Sequence, residues 1–399
     1  MIESLKDLIS PVTLKDFFEQ YWEKKPLFLR RCDPHYYQSL IDFSDLDALM
    51  AVVRPNERQV LIGKVEKDSA NFFEYITEPQ KFWATVTTAF DQGYTFGLLT
   101  IEQVYPKLRK FYSKIEDELG SIVSGSVYVS PPNTQGFAAH CDRDDVYAMQ
   151  IWGKKRWEIW QPLDELSLRG GRLSEEDLSK QGQPVIDIWV EPGDLLYVPR
   201  GWIHRVSSGD SVSLHSTLVP DACTWRDLLL INFKQVLDHY VEFRRGLPPN
   251  YMQLSAAQLE STFKSLLQLA IDESDIKAPL NSLRETVIDK LQLRTDSYFC
   301  QLDKLHLLAL DTQLTKRYRQ SFSYILAEDA THVKLSFPGN KLALPVQVLP
   351  CLDFIANQES FCPREIPLTM EENIKIQFVK DLIKAGFLLI SDQIVSTKE

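Results

Sequence analysis

Apolar and polar positions along this chain change their period twice, and the two changes divide it into three regions. As far as about residue 120, short helical repeats such as Leu14–Tyr21, entered through a Thr13 cap, and Glu102–Leu119 alternate with extended runs. The runs are Leu27–Arg30, Val60–Val65 and Tyr94–Leu99. From Ile122 to Pro220 the pattern becomes strand-like: Ile122–Val129, Tyr147–Trp152, Arg156–Trp160, Val185–Val190, Asp194–Val198 and Ser211–Val219. That density of short strands predicts a double-sheet jelly roll. The polar stretch Gln161–Gln183 interrupts it as a long loop of the kind that covers a site.

Beyond Pro220 the period lengthens again. Trp225–Arg244 repeats apolar residues at helical spacing and ends before Gly246-Leu247-Pro248. Ser255–Asp272 and Leu280–Leu293 predict two further amphipathic helices. In the last hundred residues, His332–Leu344 reads as a hairpin around Pro338-Gly339-Asn340, Leu349–Asn357 and Glu371–Ala385 as helices, and Gly386–Ile390 as a closing strand. Helices plus a hairpin predict a winged-helix-like α+β module. Trp225–Arg244 carries more apolar residues than one stripe requires, including Leu228, Leu229, Leu230 and Ile231, so part of it is expected to be buried against a second subunit.

Composition narrows the class. At 399 residues, 44% hydrophobic and 25% charged, the chain is an ordinary globular protein long enough for two or three cores. The net charge of −11 argues against a generic nucleic-acid surface and suits approach to a basic protein. Basic and acidic residues are about balanced after residue 300, so no nucleic-acid reading is expected of that module either. The six cysteines are scattered without a CxxC pair and read as reduced thiols. There is no signal-peptide core and no apolar run of membrane-spanning length, which predicts a cytoplasmic protein without a membrane role.

Candidate chemistry lies in the β region. In His140-Cys141-Asp142 alternate side chains share a face, so His140 and Asp142 are expected on the same side of one strand. His204 lies 64 positions on, at the end of a turn–strand–turn segment that starts at Val190. Two imidazoles and one carboxylate suit ferrous iron and leave three coordination positions open for substrate and oxygen. Lys155 alternates with Trp157 and Ile159, and so points inward, away from Lys154, Arg156 and Glu158. An interior ammonium group needs an anionic partner, and a small-molecule carboxylate is the natural candidate.

These residues together resemble the JmjC-type cupin dioxygenases that use Fe(II), 2-oxoglutarate and O2. In that family a lysine or arginine fifteen residues after the first histidine holds the distal carboxylate of 2-oxoglutarate, and Lys155 stands at that offset. Within it the chain is most similar to the ribosomal oxygenases, which hydroxylate a histidine or arginine side chain of a ribosomal protein. Phe17–Arg30 resembles their entry segment and Gly182–His204 their second ligand segment. The resemblance implies His140, Asp142 and His204 as metal ligands and catalytic centre. It implies Lys155, Tyr128, Ser126 and Thr217 as residues facing the cosubstrate. Tyr128 precedes His140 by twelve residues, where the family places a tyrosine on the same carboxylate, whereas Ser126 stands where asparagine is common. Val219 replaces a small polar residue of eukaryotic relatives.

On the last strand, Ser213, His215 and Thr217 are expected on one face, with His215 read as a structural histidine rather than a direct ligand. Asp144 and Asp145 are expected to hold the strand end or contact substrate. The expected architecture is a mainly β double-stranded β-helix (jelly-roll cupin, JmjC type) with helical additions. Residues 1–220 would form the catalytic domain, 221–299 a helical dimerisation domain and 300–399 the winged-helix-like module. A homodimer is implied by resemblance. Two other classes stay open: another 2-oxoglutarate oxygenase, either a protein-lysine demethylase or a small-molecule hydroxylase, and a non-catalytic dimeric cupin that only binds.

Overall fold

The computed structural model describes residues 2–65, 72–327, 329–367 and 371–391. The chain divides into two compact units, residues 1–222 and 223–399.

In the first unit thirteen strands are described: β1 Leu27–Leu29, β2 Val60–Lys64, β3 Phe72–Tyr75, β4 Thr95–Leu99, β5 Ile122–Ser130, β6 His140–Cys141, β7 Val146–Trp152, β8 Lys155–Trp160, β9 Gly171–Arg172, β10 Ile186–Val190, β11 Leu195–Val198, β12 Ile203–Ser208 and β13 Ser213–Asp221. They form a major sheet in the order β1-β11-β7-β13-β5-β4-β2-β3 and a minor sheet in the order β10-β8-β12-β6-β9. From β5 to β8 the chain alternates between the sheets strand by strand, and from β10 to β13 it does so again. This is the double-sheet jelly roll expected from the strand pattern, an antiparallel β core with helices added.

Burial explains the layering. On β5, Val123, Val127 and Val129 enter the core beside Leu108, Phe111, Tyr112 and Ile115 of the helix Pro106–Leu119, while Ser124, Ser126 and Tyr128 point the other way. Along β7, Tyr147, Met149 and Ile151 join that outer core, and Val146 and Ala148 join an inner one between the sheets. Both faces are therefore apolar, which is why this strand reads as a continuous hydrophobic run. The outer face of the minor sheet is charged instead: Arg156 donates to both carboxylate oxygens of Asp187, and Arg205 to both of Glu158.

At Gly125 only hydrogen fits. A Cβ there would lie 2.2 Å from the Tyr112 ring, whose hydroxyl donates to the Thr217 carbonyl at 3.2 Å. The β7–β8 turn needs Gly153 at φ +58, against the carbonyl of Val212.

Several expectations are corrected. The helix expected over Glu102–Leu119 begins at Pro106, and Ile101–Gln103 is a separate 3-10 turn. Pro106 suits a first helical position, and buried Glu102 is held apart by the Gly125 amide at 2.9 Å. The loop 161–183 contains β9 and a short helix, Glu175–Ser179. His204 lies within a strand, β12, just beyond the turn–strand–turn segment that leads to it.

In the second unit, Thr224 caps the helix Trp225–His239 with a capping box. The single helix expected as far as Arg244 is broken at Tyr240, whose backbone is extended and whose hydroxyl donates to Glu273. Helices Ala256–Asp272 and Lys277–Lys290 follow. After residue 300, two three-stranded sheets and the helices Leu349–Asn357 and Glu372–Lys384 share a core of Leu335, Phe337, Leu352, Ile355, Leu382 and Phe387. Its hairpin, His332–Phe337 with Asn340–Pro345, turns at Gly339 (φ +81).

Candidate metal centre and its cavity

His140 on β6 and His204 on β12 are direct cross-strand partners, so their side chains emerge on one face with ring centroids 4.3 Å apart. Asp142 lies just past the end of β6, and its placement comes from the turn rather than from strand alternation. Its carboxylate reaches both rings: Oδ2 is 3.6 Å from His204 Nε2 and Oδ1 is 4.0 Å from His140 Nε2. Among the described residues this is the group of histidine, cysteine and acidic side chains close enough to share a metal ion, with one ligand atom from each lying within 4.8 Å of the others.

Both rings are oriented from behind. His140 Nδ1 lies 2.8 Å from the carbonyl of Ala138 and His204 Nδ1 3.2 Å from that of Trp202. With Nδ1–H donating to these carbonyls, each Nε2 presents its lone pair toward the carboxylate, the tautomer a metal requires. Burial and the neighbouring His140 push His204 down to about 4, so it is a neutral ligand at physiological pH. Two imidazoles and one carboxylate fit a divalent cation of the iron type.

The three open into a cavity of about 460 Å³ between the sheets. Tyr128, Ser126, Lys155 and Thr217 all line it. Lys155 is only 2% exposed, and burial lowers its ammonium to about 7. Its Nζ lies 2.7 Å from His215 Nδ1 and 3.4 Å from the Tyr128 carbonyl, and no carboxylate pairs with it among the described residues. Burial, aided by the Asp142 charge, pushes Tyr128 up to about 12, so its hydroxyl keeps its proton. Register explains the grouping: Tyr128 faces His215 and Ser126 faces Thr217 across β5 and β13.

On the last strand Ser213, His215 and Thr217 share one face, since β13 pairs with β5 without a break in register. The shift in the β13–β7 pairing lies on the β7 side, where Ile151 is skipped between Leu214–Trp152 and His215–Gln150. Ser213 accepts from Gln150 Nε2 at 2.9 Å. His215 lies on the cavity wall, stacked on Tyr128 at 5.2 Å and 17°. Asp145 holds the strand end, accepting from the Arg200 amide at 2.8 Å and the Tyr197 hydroxyl at 3.2 Å. Asp144 lines the mouth beside Arg143, its carboxyl raised by partial burial. Thr95, Phe137 and Arg172 also line the cavity and were not singled out in the sequence. They come from separate loops and strands with no shared local pattern. No disulfide joins the six cysteines.

Comparison with known proteins agrees with this geometry. The JmjC domain family matches residues 102–228. Ribosomal oxygenase 1 of Rattus norvegicus is 34% identical over 266 residues, covering 63% of this chain and 43% of the relative. The "bifunctional lysine-specific demethylase and histidyl-hydroxylase NO66" of Culex quinquefasciatus is 27% identical over 368 residues, covering 87% of this chain and 52% of the relative. The chain thus spans about half or less of the length of these curated relatives. The fold is shared with YcfD, a ribosomal oxygenase from Escherichia coli solved with cobalt and 2-oxoglutarate: TM-score 0.54, 16% identity, 96% of this chain and 99% of that one. The histidine–aspartate–histidine set thus lies inside the segment that matches the JmjC domain, and the chain is similar to ribosomal oxygenases.

Proposed function

We propose that this protein is an Fe(II)- and 2-oxoglutarate-dependent oxygenase that hydroxylates an arginine or histidine side chain of a ribosomal protein. One observation carries the reading: a single cavity holds both the His140–Asp142–His204 set and a buried lysine without a carboxylate partner among the described residues. His140, Asp142 and His204 would hold iron. Lys155, with Tyr128, Ser126 and Thr217, would receive the distal carboxylate of 2-oxoglutarate. The bound pair supplies, with O2, the oxidising power to hydroxylate an unactivated carbon. The chain's own residues orient and exclude. The Ala138 and Trp202 carbonyls hold the imidazoles, Lys155 and Tyr128 present donors to the cosubstrate, and Val146, Trp157 and Val206 give the wall an apolar surface that keeps water out.

The net charge of −11 suits a basic ribosomal segment, and relatives described as ribosomal oxygenases support that substrate class. Relatives described also as lysine-specific demethylases favour demethylation as the second reading. Incubation of ribosomal proteins with iron, 2-oxoglutarate, O2 and this protein is expected to add one oxygen atom to one side chain. Unmodified ribosomal proteins alongside turnover of methylated lysine peptides would replace the first reading with the second. An absence of 2-oxoglutarate decarboxylation in every assay would leave a cupin that only binds.

The homodimer rests on the second unit. Trp225, Leu230, Phe263 and Ile271 are 75%, 50%, 64% and 54% exposed, a surplus that supports 221–299 as a dimerisation domain. Residues 300–399 are assigned to structural support or substrate docking. Leu230→Glu is expected to give folded monomers in sedimentation, and a wild type that sediments as a monomer at micromolar concentration overturns the assignment. No helix among the described residues is long and apolar enough to cross a membrane. The cytoplasm is the proposed compartment, and cell fractionation tests it.

A further inference from the structure

We propose that His215 is the positioning residue for Lys155, accepting a hydrogen bond that aims its ammonium at the cosubstrate carboxylate. The inference rests on the cosubstrate assignment above and extends it to His215, a residue outside the set assigned to the cosubstrate.

An ammonium group has three donors and a flexible stem. In this cavity two of the three are taken by the protein. One goes to His215 Nδ1 at 2.7 Å and one toward the Tyr128 carbonyl at 3.4 Å. The second contact is long, so the imidazole is the stronger anchor. The third donor is left for a ligand. His215 is itself held: it is 7% exposed, paired across the strands with Tyr128, stacked on that ring at 5.2 Å, and edge-on to Trp157 at 5.8 Å. A ring fixed on two faces can fix a lysine rotamer; a lone lysine in a roomy cavity would spread its charge over several.

The hydrogen bond also selects a protonation pattern. While Lys155 is an ammonium ion it can only donate, so His215 must be neutral with its proton on Nε2. Burial and the neighbouring lysine hold His215 well below its usual range, consistent with a neutral ring. Register places the ring there: His215 lies opposite Tyr128 on β5 and Gln150 on β7.

Two variants separate positioning from bulk packing. His215→Phe keeps a ring against Tyr128 and Trp157 but removes the acceptor. His215→Asn loses the ring and keeps an acceptor near the Nδ1 position. The full chain, loaded with Mn(II), is titrated with 2-oxoglutarate by calorimetry. Mn(II) affinity and thermal unfolding are measured separately, and KM against kcat for 2-oxoglutarate in uncoupled decarboxylation.

His215→Phe is expected to weaken 2-oxoglutarate binding by about tenfold or more, the scale of a charge-assisted hydrogen bond, with KM moving more than kcat and Mn(II) affinity retained. His215→Asn is expected to recover most of that loss. Wild-type-like 2-oxoglutarate affinity in folded His215→Phe overturns the inference, as does an Asn variant no better than Phe, which would mark a packing role. A folded, Mn(II)-loaded wild type that does not bind 2-oxoglutarate overturns the cosubstrate assignment, and this inference falls with it.

Discussion

Two halves of the same sandwich interior are built in opposite ways. Where β7 and β11 face β8 and β10, the space is filled by Ala148, Ile159, Val190, Leu196 and Val198. Where β13 and β5 face β12 and β6, the same layer carries His140, His204, Lys155, His215, Tyr128 and Thr217 around a cavity of about 460 Å³. Val146, Trp157, Val206 and Val219 belong to both halves. The filled half is close-packed and has little to lose but stability. The open half keeps polar groups out of water, and there the backbone or a neighbour satisfies His140, His204, Lys155 and His215. Rigidity comes from one side and chemistry from the other, through shared strands.

That division predicts opposite phenotypes. The largest effect is expected from Asp142→Ala, which removes the one anionic ligand. Turnover should fall more than about a hundredfold, since even residues behind a metal ligand are worth 10–100-fold, while thermal unfolding stays near wild type. Wild-type activity after metal stripping and iron repletion would rule out the metal assignment. Ile159→Ala, one strand away and fully buried, should do the reverse: about 2–5 kcal/mol of stability lost in denaturant unfolding, with metal affinity of the folded protein retained. Equal damage to metal binding would show the two halves to be one cooperative unit.

Lys155→Ala should raise the 2-oxoglutarate requirement by about 10–100-fold and leave iron affinity nearly unchanged. Parallel losses of iron and cosubstrate in direct titrations would mark a structural lysine. The smallest effect is a pH dependence. The free protein's Lys155 loses its proton at about 7, whereas the carboxylate-bound form requires the ammonium. Below that pH the lysine is already charged and affinity should be flat. Above it, binding must take up a proton, and affinity should fall by up to about tenfold per pH unit. Calorimetry in buffers of different ionisation enthalpy would detect that proton; no uptake at pH 8 would contradict the assignment.

Much of this was legible beforehand for stated reasons. His140, Asp142, His204 and the inward Lys155 were identified by residue type, alternation and spacing together with the family resemblance, and the structure brings them into one cavity. Strand ends mostly fell within one or two residues, because turn residues such as Gly153 and Gly339 mark them locally. The break at Tyr240 was not legible, because its hydroxyl partner, Glu273, caps the end of another helix.

What the sequence by itself determined is which side chains exist to do chemistry and which face of each strand they share, since alternation is a property of the backbone. Which strands pair, and in what register, was decided only in the folded molecule. His204 lies opposite His140 and His215 opposite Tyr128 because β12 meets β6 and β13 meets β5. The same pairing leaves His215 beside Lys155, with Nδ1 2.7 Å from Nζ. Register couples residues far apart in the chain, and a one-residue slip exchanges the two faces of a strand. Local pattern therefore lists the parts, while long-range pairing sets which of them touch.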